Sequence, residues 1–223
     1  MSVTFAQGFS AAGVVAGISS VEGKKDLALV VNNGPLDAVA GVFTSNRFCA
    51  APVQWSRKAV ADGHAKAVIL NSGGANACTG EAGYQQSVFT AEAVAELVGA
   101  QAEDVAVCST GLIGELLPLD NVLAGAKAAY AALASTAEAG ADASHAIMTT
   151  DTKPKTVELT GSNGWKIGGM VKGVGHDRPA AGHHAVRYHY RCRGQCRSNA
   201  GRAYRGRRAF VQPNRRGWLH VHQ

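Results

Sequence analysis

Short runs of Val, Leu, Ile and Ala, bounded by Gly, Asn or Asp, recur along the first three quarters of the chain. Such runs are typical of strands that are partly or fully buried. On this pattern we predict strands at 27–32, 39–45, 67–71 and 104–109. A later pair, 156–160 and 165–171, flanks the turn sequence GSNG and therefore predicts a hairpin.

In two segments the apolar residues recur at helical spacing, which predicts two helices. Between residues 79 and 99 they fall on one side and glutamates on the other, and Gly99 supplies a stop signal. A second helical pattern starts near Asp120, a residue type that often caps helices. Strands that alternate with helices predict an α/β fold with mixed sheets and packed helices.

The composition fits a globular protein without a membrane span. The chain has 223 residues, 46% of them hydrophobic and 17% charged, which is enough for a sizeable core. No apolar run reaches the ~18 residues that a spanning helix needs, and the first twenty residues lack the pattern of a secretory signal. We therefore expect a cytoplasmic protein with no membrane partner and with five free cysteines.

The charge divides the chain in two. Residues 1–175 contain 11 basic and 15 acidic residues, a net charge of −4. Residues 176–223 contain 11 arginines, no lysine and the single acid Asp177, a net charge of +10. We interpret 1–175 as one folded domain and 176–223 as a disordered tail, because an Arg-rich segment with few apolar residues buries little surface.

Several segments contain residue types that could do chemistry. The sequence NSGGANACTG (71–80) joins a strand to a helix and has glycines that let amides approach a ligand, although it is not a Walker loop. The sequence CSTGLIG (108–114) offers a hydroxyl and an amide that could stabilise an oxyanion. Lys172 lies among glycines and could approach a carboxylate. Ordinary turns and a solvated lysine remain the structural alternatives.

Five segments in this order resemble the bifunctional ornithine acetyltransferase/glutamate N-acetyltransferase family of arginine biosynthesis. Together they cover nearly all of the first domain: GVFTSN (41–46), ILNSGGANACTG (69–80), CSTGLIGELLP (108–118), MTTDTKPK (148–155) and GGMVKGVG (168–175). The resemblance implies that this domain has the fold of the first, or alpha, chain of that self-cleaving enzyme.

The resemblance also implies an activity. The family's precursor cleaves itself before a threonine, whose new amine acts as the base that activates its own hydroxyl. That threonine accepts acetyl from N-acetylornithine, or from acetyl-CoA in bifunctional members, and passes it to glutamate. The implied partners are these substrates and a second (beta) chain in a heterotetramer. No metal and no cofactor is implied besides acetyl-CoA as a possible co-substrate.

The motif match assigns roles to individual residues. Thr110 and Gly111 correspond to the oxyanion hole, and Thr149 and Lys172 correspond to substrate contacts. In the family the nucleophilic threonine lies eleven positions after the lysine, but His183 occupies that position here. We therefore expect the chain as given to be an inactive, truncated form of the enzyme.

The tail has three competing interpretations. It could be a basic arm that binds nucleic acid through phosphate contacts and tyrosine stacking, which would make the protein a non-enzymatic binder. It could hold zinc through Cys192 and Cys196, although this spacing fits no common zinc finger.

The third interpretation is that the tail is frameshifted and non-native. One permitted set of codons for residues 176–190, read one base later, gives MIAPQLATMLCVIT, which resembles the family's cleavage segment. The same shift over residues 217–223 gives DGCMST, a second family-like run. We favour this interpretation because it explains the abrupt composition and the missing threonine together, and so we do not expect a nucleic-acid partner.

Overall fold

The structure is a computed structural model that describes residues 2–173 in full and only the backbone of two later strands. Its helices are α1 (Ala51–Ala59), α2 (Gly80–Val98), α3 (Leu119–Ala131) and α4 (Ala137–Ala146). Its strands are β1 (Phe9–Val14), β2 (Leu27–Asn32), β3 (Val39–Val42), β4 (Ala67–Gly74), β5 (Val105–Leu112), β6 (Lys155–Thr160), β7 (Lys166–Val171), β8 (Ala185–Tyr190) and β9 (Trp218–His222). None of the helices in the described part is long and apolar enough to cross a bilayer.

A four-stranded central sheet organises the molecule. Its strand order is β1-β2-β4-β5, with β4 and β5 parallel and the other two pairs antiparallel. All six residues of β2 are buried. Successive side chains of a strand point to opposite faces, so continuous burial means that both faces of this sheet are covered. This explains why the strands read as unbroken apolar runs.

Each face of the central sheet has its own core. Helices α1, α2 and α3 cover one face, and the core there includes Leu29, Ile69, Val107, Trp55, Val94 and Ala126. Helix α4, the N-terminal segment and β7 cover the other face, and the core there includes Val30, Val68, Ala106, Val3, Ala143 and Met170. Residues adjacent in sequence on the strands thus belong to different cores.

A second, five-stranded sheet has the order β3-β9-β8-β7-β6. The pairs β6/β7, β7/β8 and β8/β9 are antiparallel, and β3/β9 is parallel. Apart from β8 and β9, the predicted disordered tail lies outside the described residues. The same holds for Cys192 and Cys196 of the zinc alternative, and for His183.

The main expectations about secondary structure are confirmed. Strand β2, helix α2 and the β6/β7 hairpin lie where the pattern placed them, and the two sheets with packed helices form the expected mixed α/β fold. Strand β3 ends at Val42, three residues earlier than predicted. Asp120 is not the N-cap of α3, because Pro118 occupies that position and Asp120 lies in the first turn.

Within residues 2–173, two helices and one strand were not predicted, and each lacks a clear apolar period; β8 and β9, in the segment predicted to be disordered, were not predicted either. Strand β1 reads FSAAGV and helix α4 reads AEAGADASHA, so small residues dominate both. Helix α1 reads APVQWSRKA, with a proline in its first turn. Small side chains give a weak hydrophobic signal even where they are fully buried, as they are here for Ala11 and Ala143.

Strand β5 has no neighbouring strand on its outer edge, and side chains of helix α1 bind the backbone hydrogen-bonding groups there. The indole Nε1 of Trp55 donates to the Val105 carbonyl at 2.9 Å. The hydroxyl of Ser56, which is fully buried, donates to the Val107 carbonyl at 2.7 Å and accepts from the Val107 amide at 2.9 Å. A single serine therefore replaces two hydrogen bonds that a further strand would have made.

We expect Ser56→Ala to destabilise the protein more than a typical loss of a hydroxyl does. It would remove two buried hydrogen bonds to the Val107 backbone, and each such bond contributes about 0.5–1.5 kcal/mol. Ser144→Ala is the matched control, because Ser144 is also buried and its hydroxyl bonds, among the described residues, the Ala141 carbonyl of its own helix. Urea unfolding should give a clearly lower midpoint for Ser56→Ala; equal midpoints would contradict this role of α1.

Candidate active site

Strands β4 and β5 end side by side at the candidate site. Because the two strands are parallel, their carboxyl ends lie at the same edge of the sheet. Their register pairs Ser72 with Thr110 and Gly73 with Gly111. The glycine-rich end of β4 and the Thr-Gly pair of β5, which lie far apart in sequence, are therefore neighbours.

Lys172, immediately after β7, joins this edge to a third segment. Its ammonium donates to the hydroxyl of Thr110 at 2.6 Å and to the hydroxyl of Thr149 at 2.9 Å. Thr149 lies in the loop between α4 and β6. Three of the four predicted site residues thus make direct contact, and Gly111 adjoins them. Their roles in catalysis and binding stay predictions.

The contact with Lys172 determines which way the threonine hydroxyls can donate. An ammonium has three N–H donors and no acceptor, so each hydroxyl must accept from it. Thr110 and Thr149 therefore keep their own hydroxyl hydrogens for another partner. Of the three ammonium hydrogens, two bond these hydroxyls, and no third bond is present within the described residues.

Burial has the largest effect on the pKa of Lys172. It lowers the pKa of this half-buried ammonium, and the Asp151 carboxylate opposes that effect. The ammonium groups of Lys24 and Lys155 lower the pKa by smaller amounts, and it stays below its ordinary value. The Lys172 ammonium is complementary to an anionic group such as a carboxylate.

Gly111 and Gly73 let three backbone segments stack without side chains between them. Gly111 has a φ of 138°, in the region that favours glycine, and a Cβ atom there would overlap the backbone of Gly73. A Cβ atom on Gly73 would lie 2.8 Å from the carbonyl carbon and oxygen of Ile18. The loop at residues 16–19 therefore supports Gly73, and Gly73 supports Gly111.

Asp26 holds that loop in place. Its carboxylate, which is 1% exposed, accepts hydrogen bonds from the amides of Ala16 at 2.7 Å, Ile18 at 2.6 Å and Ser19 at 2.7 Å. Its backbone carbonyl accepts from the Ser72 amide at 2.8 Å. Sequence reasoning missed Asp26. The available signal was a lone acid placed directly before a fully apolar strand.

Asp151 occupies a similar position on the other side of the site. Burial alone would raise the pKa of the Asp151 carboxyl, but the Lys155 ammonium and the amides of Gly173 and Thr149 outweigh it and keep the pKa below its usual value. Asp151 lies in the MTTDTKPK motif, but sequence reasoning gave it no role.

The NSGGANACTG segment is held by its own side chains. Asn76 and Cys78 have positive φ angles of 47° and 60°. The buried Asn76 amide donates to the Gly83 carbonyl at 2.8 Å, and its oxygen accepts from the Thr79 hydroxyl at 2.7 Å. These bonds tie the loop to the start of α2. The interpretation as a structural turn accounts for Asn76, and Cys78 is exposed.

The comparison with protein families gives one match over most of the chain: a model described as the ArgJ family matches residues 10–182. Two relatives are described as "Arginine biosynthesis bifunctional protein ArgJ". The protein from Bifidobacterium longum is 88% identical over 179 residues, which is 80% of this chain and 46% of the relative. The protein from Mycobacterium leprae is 55% identical over 183 residues, 80% of this chain and 45% of the relative. The chain thus spans about half the length of the curated relatives that it matches.

Two solved structures share the fold. The structure of ornithine acetyltransferase from Mycobacterium tuberculosis, described as complexed with ornithine, has a TM-score of 0.78 and 50% sequence identity, and covers 80% of this chain and 95% of that one. The structure of the arginine biosynthesis bifunctional protein argJ from Bacillus halodurans has a TM-score of 0.73 and 36% identity, and covers 80% of this chain and 93% of that one.

We expect Gly73→Ala to disturb the site more than Gly169→Ala. At Gly73 the new methyl group meets the Ile18 backbone, which Asp26 holds in place, whereas at Gly169 it meets only the Val157 side chain, at 2.9 Å. Overpacking of this kind costs about 1–3 kcal/mol. Urea unfolding should show the larger loss for Gly73→Ala, and the amide signal of Gly111 in NMR spectra should shift in that variant alone. A Gly111 signal that stays unshifted in both variants would contradict the stacking.

Proposed function

The chain belongs to the ArgJ family, and on that premise we propose that it forms the first part of an acetyltransferase of arginine biosynthesis. The complete enzyme would move acetyl from N-acetylornithine, or from acetyl-CoA, to glutamate. The observation that carries the proposal is the contact of Lys172 with Thr110 and Thr149 beside Gly111. Four residues that the motifs assign to one site converge from three separate segments.

The proposed reaction is acyl transfer in two steps. The hydroxyl oxygen of an N-terminal threonine attacks the acetyl carbonyl, and the oxyanion that forms needs hydrogen-bond donors. Collapse breaks the bond to the ornithine amine, which leaves with a proton, and the acetyl group stays on the threonine. The amine of glutamate then attacks this ester, releases N-acetylglutamate and returns the threonine hydroxyl.

This chain would supply the donors for the oxyanion. The Thr110 hydroxyl accepts from Lys172 and so keeps its own hydrogen to donate. The positive ammonium beside it makes that hydroxyl a stronger donor. The Gly111 amide is the second donor by motif match. Its position depends on the glycine stack, since a side chain on Gly111 would overlap the Gly73 backbone and one on Gly73 would overlap the Ile18 backbone.

Lys172 would also contact the substrate. Its half-buried ammonium suits the carboxylate shared by N-acetylornithine and glutamate. The Mycobacterium tuberculosis relative is described as complexed with ornithine, which supports an amino-acid ligand of this class. Thr149 would add a hydroxyl contact. We propose no metal and no cofactor other than acetyl-CoA as a co-substrate.

The nucleophile itself is missing from the sequence. His183 occupies the position of the family's threonine, and the family match ends one residue earlier, at residue 182. We propose that the reading frame changes near Gly175, that the chain as given is inactive, and that the native continuation provides a second chain in a cytoplasmic heterotetramer. The nucleic-acid alternative depends on side chains of the tail, which lie outside the described part of the chain.

The 223-residue chain should show no self-cleavage and no acetyl transfer, whereas a joined enzyme should show both. The joined enzyme consists of residues 1–175 followed by the Bifidobacterium longum relative from the position after the one aligned with Gly175. Mass spectrometry would detect cleavage, and N-acetylglutamate formation from N-acetylornithine and glutamate would report transfer. Activity of the 223-residue chain above a blank, or an inactive joined enzyme, would overturn the corresponding part of the proposal.

In the joined enzyme we expect Thr110→Ala to slow acylation by about 100- to 1,000-fold, because this is the usual effect of removing one oxyanion donor. Thr110→Ser is the matched control, since it keeps the hydroxyl that accepts from Lys172, and it should stay within about tenfold of the unaltered enzyme. Single-turnover acylation rates measure both. Equal rates for the alanine and serine variants would show that the Thr110 hydroxyl is not an oxyanion donor.

A further inference from the structure

We propose that Asp151 is a positioning residue for the acyl-transfer site. Its carboxylate fixes the backbone of Thr149 and of Gly173, so that the side chains of Thr149 and Lys172 meet Thr110 in one geometry. This inference rests on the proposed function for its catalytic consequence. Its structural part can be tested on the 223-residue chain alone.

The contacts of Asp151 join two segments of the chain. One carboxylate oxygen accepts from the Lys155 ammonium at 2.7 Å and from the Gly173 amide at 2.7 Å. The other oxygen accepts from the Thr149 amide at 3.3 Å. The Asp151 side chain is only 1% exposed. Since Gly173 directly follows Lys172, one buried carboxylate holds the main chain on both sides of the Lys172–Thr149 contact.

Neither Thr149 nor Gly173 lies in a helix or a strand. Strand β7 ends at Val171, which pairs with Lys155, so Lys172 and Gly173 lie beyond the last rung of the hairpin. Gly173 has a φ of 142°, a conformation open to glycine and strained for other residues. Thr149 lies in the loop between α4 and β6. The carboxylate of Asp151 therefore replaces the constraint that a sheet or helix would provide.

A fixed backbone matters because the lysine side chain is long. Four rotatable bonds separate the Lys172 backbone from its ammonium, and a small change in the backbone is multiplied along them. The ammonium must nevertheless reach two hydroxyls at 2.6 Å and 2.9 Å simultaneously. Displacements of about 1 Å in a catalytic arrangement can lower the rate by ~100-fold.

Charge gives Asp151 a second effect on the same arrangement. The ammonium groups of Lys24 and Lys155 each act on the Lys172 ammonium and lower its pKa. Among the groups that act on Lys172 in the described part of the chain, the Asp151 carboxylate is the one that opposes them. Lys155 also donates to the Gly173 carbonyl, so it reinforces the same hold on the backbone.

A purely structural buried ion pair would also show these contacts, so the test must separate the two roles. Asp151→Asn removes the charge and places an amide where one oxygen accepted a hydrogen bond. Asp37→Asn is the matched control, because it makes the same charge change at an exposed carboxylate outside the site, whose hydrogen-bond partner within the described residues is His64. Lys155→Gln tests the contribution of the ammonium.

In the joined enzyme, Asp151→Asn should lower kcat by about 10- to 100-fold per folded molecule, while Asp37→Asn leaves it unchanged and Lys155→Gln has an intermediate effect. In the 223-residue chain, NMR titration of the labelled lysine side chains should show a lower pKa for Lys172 in Asp151→Asn than in the unaltered chain. Asp37→Asn should not change that titration.

The proposal is overturned if Asp151→Asn is folded and matches Asp37→Asn in both kcat and the Lys172 titration. If Asp151→Asn does not fold, amide hydrogen exchange in the unaltered 223-residue chain tests whether Asp151 holds this backbone. Protected amides at Thr149 and Gly173 support the proposal, and exchange at the rate of an unstructured peptide overturns it. If the unaltered joined enzyme is inactive, the proposed function fails, while the titration and the exchange still test the hold of Asp151 on this backbone.

Discussion

The parallel pairing of β4 with β5 is the constraint on which the rest of the structure depends. It brings the glycine-rich end of one strand beside the Thr-Gly end of the other. Gly111 can lie against Gly73, and Gly73 against the 16–19 loop, because neither glycine has a side chain. The central sheet is buried on both faces, so its strands cannot shift without disrupting two cores. A rigid, apolar sheet thus presents its polar ends at one defined edge.

Two buried carboxylates hold loop segments in place beside that edge of the sheet. The Asp26 carboxylate accepts hydrogen bonds from three amides of the 16–19 loop. The Asp151 carboxylate accepts hydrogen bonds from the amides of Thr149 and Gly173 and from the Lys155 ammonium. Both use the same physics: a carboxylate that loses its water is stable only if hydrogen bonds replace the solvent. The cost of burial therefore couples each carboxylate to one arrangement of the surrounding loop.

The extent to which sequence predicted this structure follows from the kind of signal each element leaves. Strand β2 and helix α2 carry strong apolar patterns and were predicted with nearly correct bounds. Strand β1 and helix α4 are built from small residues and show no clear apolar pattern, so they were not predicted. The motifs identified Thr110, Thr149 and Lys172, which the structure brings into contact. Asp26 and Asp151 were missed because their contacts are mostly with backbone amides, which look alike in any sequence.

The contacts at the two margins of the central sheet affect how the protein behaves at high concentration. On one margin, the side chains of Trp55 and Ser56 make hydrogen bonds with the outward-facing backbone groups of Val105 and Val107 in β5. On the other, Ala11 of β1 exchanges two backbone hydrogen bonds with Ala134, at 3.0 Å and 3.1 Å. An open sheet margin is a template on which a strand of another molecule can assemble. With both margins occupied at these points, the sheet resists growth into intermolecular aggregates.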